Sequence, residues 1–164
     1  MHILLINSEY PPIGGGAGNA SANLARCLVV LGHKVTVLTA RFEDQPHLET
    51  RDGVTIHRVL SLRRRQDRST AFEQLTFIAS ASFWSLNWIP QNKPNATLAF
   101  FGVPSGAVAW LLKKLFHIPY IVSLRGGDVP GFRPYDFKTF HKMVGPFLRV
   151  IWHQADSVIA NSNG

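Results

Sequence analysis

The first 39 residues combine the two hydrophobic periods of regular secondary structure, and this constrains the fold more than any other feature. Ile3 to Ile6 form an uninterrupted apolar run, which is typical of a strand buried on both faces of a parallel sheet. After a turn-rich stretch, apolar residues recur every three or four positions, at Ala17, Ala20, Leu24, Leu28 and Leu31. Gly32 is placed to end this helix, and Val35 to Thr39 form the next apolar strand. The chain therefore begins as an α/β fold.

The same alternation of strands and helices continues to the end of the sequence. Strands are predicted at 54–59, 97–101, 120–124 and 157–160, and helices at 70–88, 104–116 and 136–153. Thr70 and Glu73 have the spacing of a capping box, Pro90 is expected to stop the second helix, and Pro104 is expected in the first turn of the third. The pattern predicts one Rossmann-like domain over residues 1–164, with a doubly wound and mostly parallel sheet.

The composition excludes several classes of protein. The chain has 164 residues, 46% of them hydrophobic, which is enough to fill the core of one domain and excludes a disordered or collagen-like chain. The single cysteine, Cys27, excludes a disulfide scaffold, fits a reducing compartment, and is predicted to be a buried thiol. The start of the chain lacks the features of a signal peptide, and we therefore expect a cytoplasmic protein.

The charge balance favours anionic partners. There are 17 Lys and Arg against 10 Asp and Glu, and five of the basic residues lie within eleven positions: Arg58, Arg63, Arg64, Arg65 and Arg68. Residues 60–70, which contain the last four of these, are called the basic loop. Such a balance attracts phosphorylated small molecules or an anionic membrane surface. Nucleic acid is a poor fit, because basic residues interleaved with aromatic ones do not extend beyond this one loop. The histidines show no metal-ligand spacing with cysteines or acids, so no metal site is predicted.

The first candidate site is Gly14, Gly15 and Gly16, which precede the first helix. Glycines let a ligand approach the backbone, and a helix N-terminus offers unpaired N–H groups to a phosphate or diphosphate. The structural alternative is that the glycines only permit a tight turn. The spacing does not match a dinucleotide fingerprint, and the chain has no Walker-type phosphate loop.

The second candidate site follows the strand predicted at 120–124. Arg125 supplies planar donors for a phosphate or carboxylate, and Asp128 could accept hydrogen bonds from sugar hydroxyls, with Gly126 and Gly127 between them. The structural alternative is an Arg–Asp pair that only stiffens the loop.

Two further functions are compatible with these patterns. A fragment of an NADP-type oxidoreductase would use Arg41, just past the second strand, to hold a 2′-phosphate. A non-catalytic module would bind a phosphorylated ligand without turnover.

The order of the motifs closely resembles that of family 4 glycosyltransferases. The segments that carry the resemblance are Tyr10-Pro11-Pro12-Ile13-Gly14-Gly15-Gly16-Ala17-Gly18, Gly32-His33-Lys34-Val35-Thr36-Val37, Ser123-Leu124-Arg125-Gly126-Gly127-Asp128-Val129-Pro130-Gly131-Phe132 and Ala155-Asp156-Ser157-Val158-Ile159-Ala160-Asn161-Ser162. The resemblance implies the N-terminal, acceptor-side half of a GT-B enzyme, whose donor-binding C-terminal domain is not in this chain. Such enzymes transfer a sugar from a nucleotide-sugar donor to a sugar or lipid-linked acceptor, with retention of configuration and without a metal or other cofactor.

The resemblance also implies roles for individual residues. Gly14, Gly15 and Gly16 would lie against the donor diphosphate. Arg125 stands where the family often has a histidine, and Asp128 matches the family's acid, so the 125–128 segment, including Gly126 and Gly127, would line the sugar cleft. Without the C-terminal half, the chain is expected to be inactive alone.

One predicted helix is rich in aromatic residues, namely Phe72, Phe77, Phe83, Trp84 and Trp88. Core packing is one explanation for them. The alternative is that this helix, with the arginines of the basic loop before it, docks on an anionic membrane.

Overall fold

The computed structural model describes residues 1–66, 68–125 and 138–160. Its strands are β1 (His2–Ile6), β2 (Lys34–Ala40), β3 (Leu48–Arg51), β4 (Val54–Val59), β5 (Ala96–Phe100), β6 (Tyr120–Ser123) and β7 (Ser157–Ile159), and its helices are α1 (Gly16–Val30), α2 (Ala71–Asn92), α3 (Ala107–Phe116) and α4 (Lys138–Gln154). The strands form one sheet in the order β3-β4-β2-β1-β5-β6-β7. The pairs are parallel except for β3 with β4. The predicted doubly wound, mostly parallel sheet is confirmed.

The central strand β1 shows why both faces of the sheet are covered. Leu4 and Ile6 pack into a cluster with residues of α2, α3 and α4, whereas Leu5 packs into a second cluster with Ala25 of α1. Successive side chains of a strand point to opposite faces, so a fully apolar strand requires a helix layer on each face. The continuous run at Ile3 to Ile6 meets this requirement.

The strand order reverses between β1 and β5. The chain proceeds from β1 to β2 and β4 on one side, and then from β5 to β6 and β7 on the other. In open α/β sheets, ligands bind at the carboxyl ends of the strands where such a reversal opens a crevice. This reversal places the loops that leave β1 and β5 beside the crevice.

The antiparallel strand β3 was missed by the sequence patterns, which leave residues 40–52 as a loop. Leu48–Arg51 has the sequence LETR, and its only apolar residue is exposed, so it gives no hydrophobic signal. The turn to β4 is formed by Asp52 and Gly53, with φ of 52° and 75°. An Asp-Gly pair is a strong signal for a β-hairpin, so it indicates β3, which the hydrophobic periodicity did not.

The prediction that Pro90 stops the second helix is wrong. Helix α2 continues past Pro90 to Asn92. Because Pro90 lies on the exposed side of the helix, the carbonyl that it leaves unpaired can bond to water. The prediction for Pro104 is confirmed: Val103 is extended, with φ of −133° and ψ of 134°, and Pro104 follows it at the start of the helical residues that continue through Gly106 into α3.

The prediction of a buried Cys27 is also wrong, because this thiol is exposed. The buried residues of α1 are Gly18, Ser21 and Ala25, which define one helical stripe. Cys27 is two residues beyond Ala25, which places it about 200° around the helix and away from the sheet.

Within the described ranges, no helix has both the length and the apolar character needed to cross a bilayer.

Candidate functional site

The loop between β1 and α1 (residues 8–16), which we call the glycine loop, lies at the carboxyl edge of the sheet beside the strand reversal. Helix α1 begins at Gly16, and no side chain caps its N-terminus. An uncapped helix start presents backbone N–H groups and the positive end of the helix dipole. The local chemistry suits a phosphate or another anion.

The three predicted glycines have different structural roles. Gly14 has φ of +85°, and a Cβ there would lie 2.6 Å from the Glu9 Cβ, so the fold itself requires this glycine. At Gly15 and Gly16 a Cβ would meet nothing within 4 Å. Because the described residues leave open space at these two positions, Gly15 and Gly16 are better placed than Gly14 to meet a ligand.

Small polar groups hold the glycine loop to the end of β1. The Asn7 side chain donates to the Ser21 Oγ at 2.9 Å and accepts from the Glu9 N–H at 3.0 Å. A Cβ on Gly18 would lie 3.0 Å from the carbonyl oxygen of Ile13, so α1 packs directly on this loop. Asn7 and Ser21 are buried neighbours of the glycine loop that the sequence patterns missed. The polar Asn7 directly after a buried strand was the available signal.

The basic loop, which leaves β4, is bonded to the glycine loop. The amide of Gly14 donates to the carbonyl oxygen of Gln66 at 3.1 Å, and the Gln66 side chain donates to the carbonyl oxygen of Pro12 at 2.7 Å. Because each loop bonds the backbone of the other, the two strand-end loops form one surface.

Arg63 is the buried centre of this surface, with a side chain that is only 2% exposed. Its guanidinium donates to the carbonyl oxygens of Arg65 at 2.8 Å, Gln66 at 3.2 Å and Ser8 at 3.4 Å, and lies 3.7 Å from the Glu9 carboxylate. A buried cation requires such partners. Among the arginines of the basic loop, Arg63 therefore has a structural role, whereas the side chains of Arg64 and Arg65 are exposed.

Glu73 joins the basic loop to α2 and confirms the predicted capping box. Its carboxylate accepts from the backbone N–H of Thr70 at 2.7 Å and of Arg64 at 3.1 Å, while the Thr70 hydroxyl accepts from the Glu73 N–H. The hydrogen bond from Thr70 is the largest cause that lowers the pKa of the Glu73 carboxyl. Glu73 thus remains charged and fixes the basic loop at the start of the helix.

The second predicted site lies only partly within the described residues. Arg125 follows β6 at the same edge of the sheet, and its guanidinium carbon lies 4.3 Å from the ring centre of Phe100, the last residue of β5. This cation–π contact fixes the guanidinium beside the strand reversal. Gly126, Gly127 and Asp128 lie outside the described residues, so the structure does not test the proposed Arg125–Asp128 arrangement.

Arg41, the candidate for a 2′-phosphate site, is engaged within its own loop. Its guanidinium donates to the carbonyl oxygen of Gln45 at 3.0 Å and lies 2.8 Å from the His47 Nε2. These bonds hold residues 41–47 together. Among the described residues, no three His, Cys, Asp or Glu side chains are grouped so as to hold a metal ion.

The outer face of α2 exposes hydrocarbon. Phe72 is 65% exposed and Phe83 72% exposed, and the same stripe includes Leu75 and Leu86; we call these four residues the α2 stripe. Phe77, by contrast, is 1% exposed in the core. The core explanation therefore holds for Phe77 and fails for the stripe. Leu60 and Leu62 of the basic loop are exposed as well.

The sequence model of the glycosyl transferase 4-like domain matches residues 15–164. This chain belongs to that family. The match covers both the glycine-loop end of α1 and the Arg125 segment, and it confirms the resemblance that the motifs indicated. No curated protein sequence matches the chain.

Solved structures support the fold independently. Sucrose-phosphate synthase from Thermosynechococcus elongatus superposes with a TM-score of 0.75 at 17% identity, over 96% of this chain and 41% of that one. The catalytic domain of starch synthase IV from Arabidopsis thaliana, bound to ADP and acarbose, gives 0.62 at 15% identity, over 77% of this chain and 34% of that one. MurG from Acinetobacter baumannii superposes with a TM-score of 0.56 at 17% identity, over 97% of this chain and 40% of that one. The glycosyltransferase domain thus has the fold of one half of a GT-B enzyme, and it spans about two fifths of the first of these chains.

Proposed function

We propose that this glycosyltransferase domain is the N-terminal, acceptor-side half of a retaining and metal-independent hexosyltransferase that uses a nucleotide-sugar donor and no cofactor. The observation that carries the proposal is the uncapped start of α1 behind open space at Gly15 and Gly16, beside the strand reversal. A donor diphosphate would meet N–H groups and a positive dipole end there. This chain covers only 41% and 40% of the sucrose-phosphate synthase and MurG chains, which supports the presence of a second, donor-binding domain. Without that domain, this half would be inactive.

The residues of the two strand-end loops have separate roles in this proposal. Gly15 and Gly16 contact the diphosphate, and Gly14 maintains the turn. Arg125 and Asp128 line the cleft near the reacting sugar, with Gly126 and Gly127 between them. A cation near a diphosphate leaving group stabilises the charge that develops in the transition state.

The test uses the protein with its donor-binding domain and a panel of UDP-, GDP- and ADP-hexoses. Gly16→Ala is expected to lower kcat/KM by at least about tenfold, because the methyl group occupies the space of the diphosphate. Gly145→Ala is the matched control, since Gly145 is a glycine of a different helix, α4, and its Cβ would likewise meet nothing within 4 Å among the described residues. Equal activity of both variants would contradict the role of the glycine loop.

The finer parts of the proposal are separately measurable. NMR of the first-formed product reports whether the anomeric configuration is retained, and full activity in EDTA is expected of a metal-independent enzyme. Residues 1–164 alone are expected to show no turnover with any donor of the panel. Turnover by this chain alone would overturn the two-half arrangement.

We further propose that the α2 stripe docks on the anionic inner face of a membrane, which places the enzyme in the cytoplasm and favours a lipid-linked acceptor. Four exposed apolar side chains lie along one helix, and Arg64, Arg65 and Arg68 are exposed beside its N-terminus. Between Glu73 and Asp128 the sequence contains no further acidic residue. Apolar area and cations together are what an anionic lipid surface binds.

Flotation with vesicles tests this docking. Binding to vesicles of phosphatidylglycerol and phosphatidylcholine is expected to exceed binding to phosphatidylcholine alone, and Phe72→Ser with Leu86→Ser is expected to abolish it. Val30→Ser is the matched control, because Val30 is an exposed apolar residue on α1, away from the stripe. Equal binding to both vesicle types would contradict the proposal.

A further inference from the structure

A groove of about 730 Å³ runs along the flank of the domain, between α2 and the β3–β4 edge of the sheet. It is separate from the open space at Gly15 and Gly16, and neither the glycine loop nor Arg125 lines it. Its volume is that of an ordinary small-molecule site. The chemistry of its walls identifies the kind of ligand that it fits.

One wall of the groove is aromatic. The indoles of Trp84 and Trp88 stack with ring centres 4.9 Å apart at 20°, and the His57 ring on β4 lies 4.7 Å from Trp84. Both indoles are half-buried against the core, which holds them in place. A rigid aromatic surface of this kind packs well against the apolar face of a ring.

Polar groups line the same groove on α2. Asn87 and Gln91 are exposed, and each side-chain N–H₂ donates to a carbonyl one turn earlier, of Phe83 at 2.8 Å and of Asn87 at 3.4 Å. In the described part of the chain neither side-chain carbonyl oxygen accepts a bond. Each amide is therefore oriented by the helix and retains an open acceptor.

The charges at the groove are neutralised within the protein. Arg58 has a side chain that is 2% exposed, lies 2.7 Å from Glu49, and donates to the carbonyl oxygen of Pro46. His47 lies 2.8 Å from the Arg41 guanidinium. Burial lowers the pKa of His57, which favours its neutral form. Among the described residues that line the groove, none offers an unpaired cation to an anion.

We propose that this groove binds a neutral saccharide. A sugar ring has an apolar C–H face for the indoles and hydroxyl donors for the oxygens of Asn87 and Gln91. A hydrocarbon chain would bury these amides without partners, which is unfavourable. An anionic ligand would lack a free cation. The site extends beyond the proposed catalytic cleft and needs no donor or turnover.

Saturation-transfer NMR of the chain with maltohexaose, cellohexaose and mannohexaose tests the proposal. At least one of them is expected to receive saturation, and the affinity is expected to fall about fivefold in Asn87→Ala and in Gln91→Ala, since each loses a hydrogen bond. Trp84→Leu is expected to abolish binding. The amide variants change exposed side chains, so they test the groove even if Trp84→Leu does not fold. Val30→Ser is the control, because Val30 is an exposed apolar residue outside both the groove and the α2 stripe.

The outcomes separate the groove from the other proposals. No saturation transfer to any of the three saccharides would overturn the inference, as would unchanged affinity in the amide and Trp84 variants. If the amide variants change vesicle flotation instead, the groove belongs to the membrane surface. Failure of the glycosyltransferase assays leaves this measurement unaffected, because saccharide binding is recorded without a donor.

Discussion

Two regions of the molecule depart from the usual rule that apolar side chains are buried and charged ones exposed. The strand-end loops bury a charged side chain, and the outer face of α2 exposes apolar ones. At the loops the molecule buries a cation, Arg63, with a side chain that is 2% exposed. On α2 it leaves Phe83 72% exposed. Arg63 is surrounded by carbonyl oxygens and a carboxylate, whereas the stripe has no protein cover in the described residues. The first arrangement makes a defined loop geometry, and the second makes a surface that remains available to a partner.

This difference shows that the two regions contribute differently to stability. A buried, fully bonded arginine cannot be removed without leaving its partners unpaired. An exposed phenylalanine can be removed at almost no cost to folding. The expected effects therefore decrease from the loops to the stripe.

Among the variants of the strand-end loops, the largest effect is expected for Arg63→Met, which should lower the free energy of unfolding by about 3 kcal/mol. The substitution removes the guanidinium from Glu9 and from the carbonyl oxygens of Ser8, Arg65 and Gln66, of which Gln66 keeps the bond from the Gly14 amide. Urea unfolding measures the loss, and Arg65→Met, at an exposed side chain of the same loop, is the matched control. Similar stabilities for the two variants would show that the buried network is not what holds the loops.

Gly14→Ala is expected to lower the free energy of unfolding by about 2 kcal/mol, because it combines a positive φ with a collision at the Glu9 Cβ. Gly16→Ala, in open space at the first residue of α1, is expected to leave stability unchanged or raise it by about 0.5 kcal/mol. Thermal unfolding of both variants measures the contrast. Equal losses would mean that the glycines have a single structural role.

Glu73→Gln is expected to cost about 1 kcal/mol at neutral pH, because the amide cannot accept from both the Thr70 and Arg64 N–H groups. The pKa of Glu73 is lowered in the folded state, so its contribution is complete above the usual value of 4.5 and is lost as the pH falls through the folded pKa. Urea midpoints from pH 7 to pH 3 should therefore converge for the wild type and the variant. Parallel curves would contradict this.

The smallest effect on stability is expected on the α2 stripe, where Phe72→Ser should change the free energy of unfolding by no more than about 0.5 kcal/mol. Phe77→Ser, five residues along the same helix but buried in the core, should cost more than about 3 kcal/mol. Calorimetry compares the two. A large loss in Phe72→Ser would show that the stripe is covered by the protein itself.

The sequence patterns predicted the parallel core of the fold because its strands carry continuous apolar runs. They missed β3, since an edge strand with one free side needs no such run, and they placed the end of α2 too early at Pro90. Cys27 was predicted to be buried because it lies in an apolar helical run, but the buried residues of α1 are Gly18, Ser21 and Ala25. Hydrophobic periodicity indicates that a helix or strand is present. Where that element ends, and which of its side chains are buried, depends on what packs against it.

For the candidate site, the sequence located Gly14 to Gly16 and Arg125 but did not distinguish their roles. It also did not distinguish buried from exposed arginines in the basic loop. The structure separates the buried Arg63 from the exposed Arg64 and Arg65, and separates Gly14 from Gly15 and Gly16. The residues Glu9 and Gln66 that connect the loops are 57 positions apart in the chain and carry no shared pattern.

By itself, the sequence determined the α/β class, the parallel order of the apolar strands and the family of the chain, because these depend on local hydrophobic periods and on contiguous motifs. Only the tertiary structure decided which arginine is buried, which glycines face open space and which aromatic rings remain exposed on α2. Those properties depend on partners brought together from distant segments. Burial and hydrogen bonding are set by these long-range contacts, which no local pattern specifies.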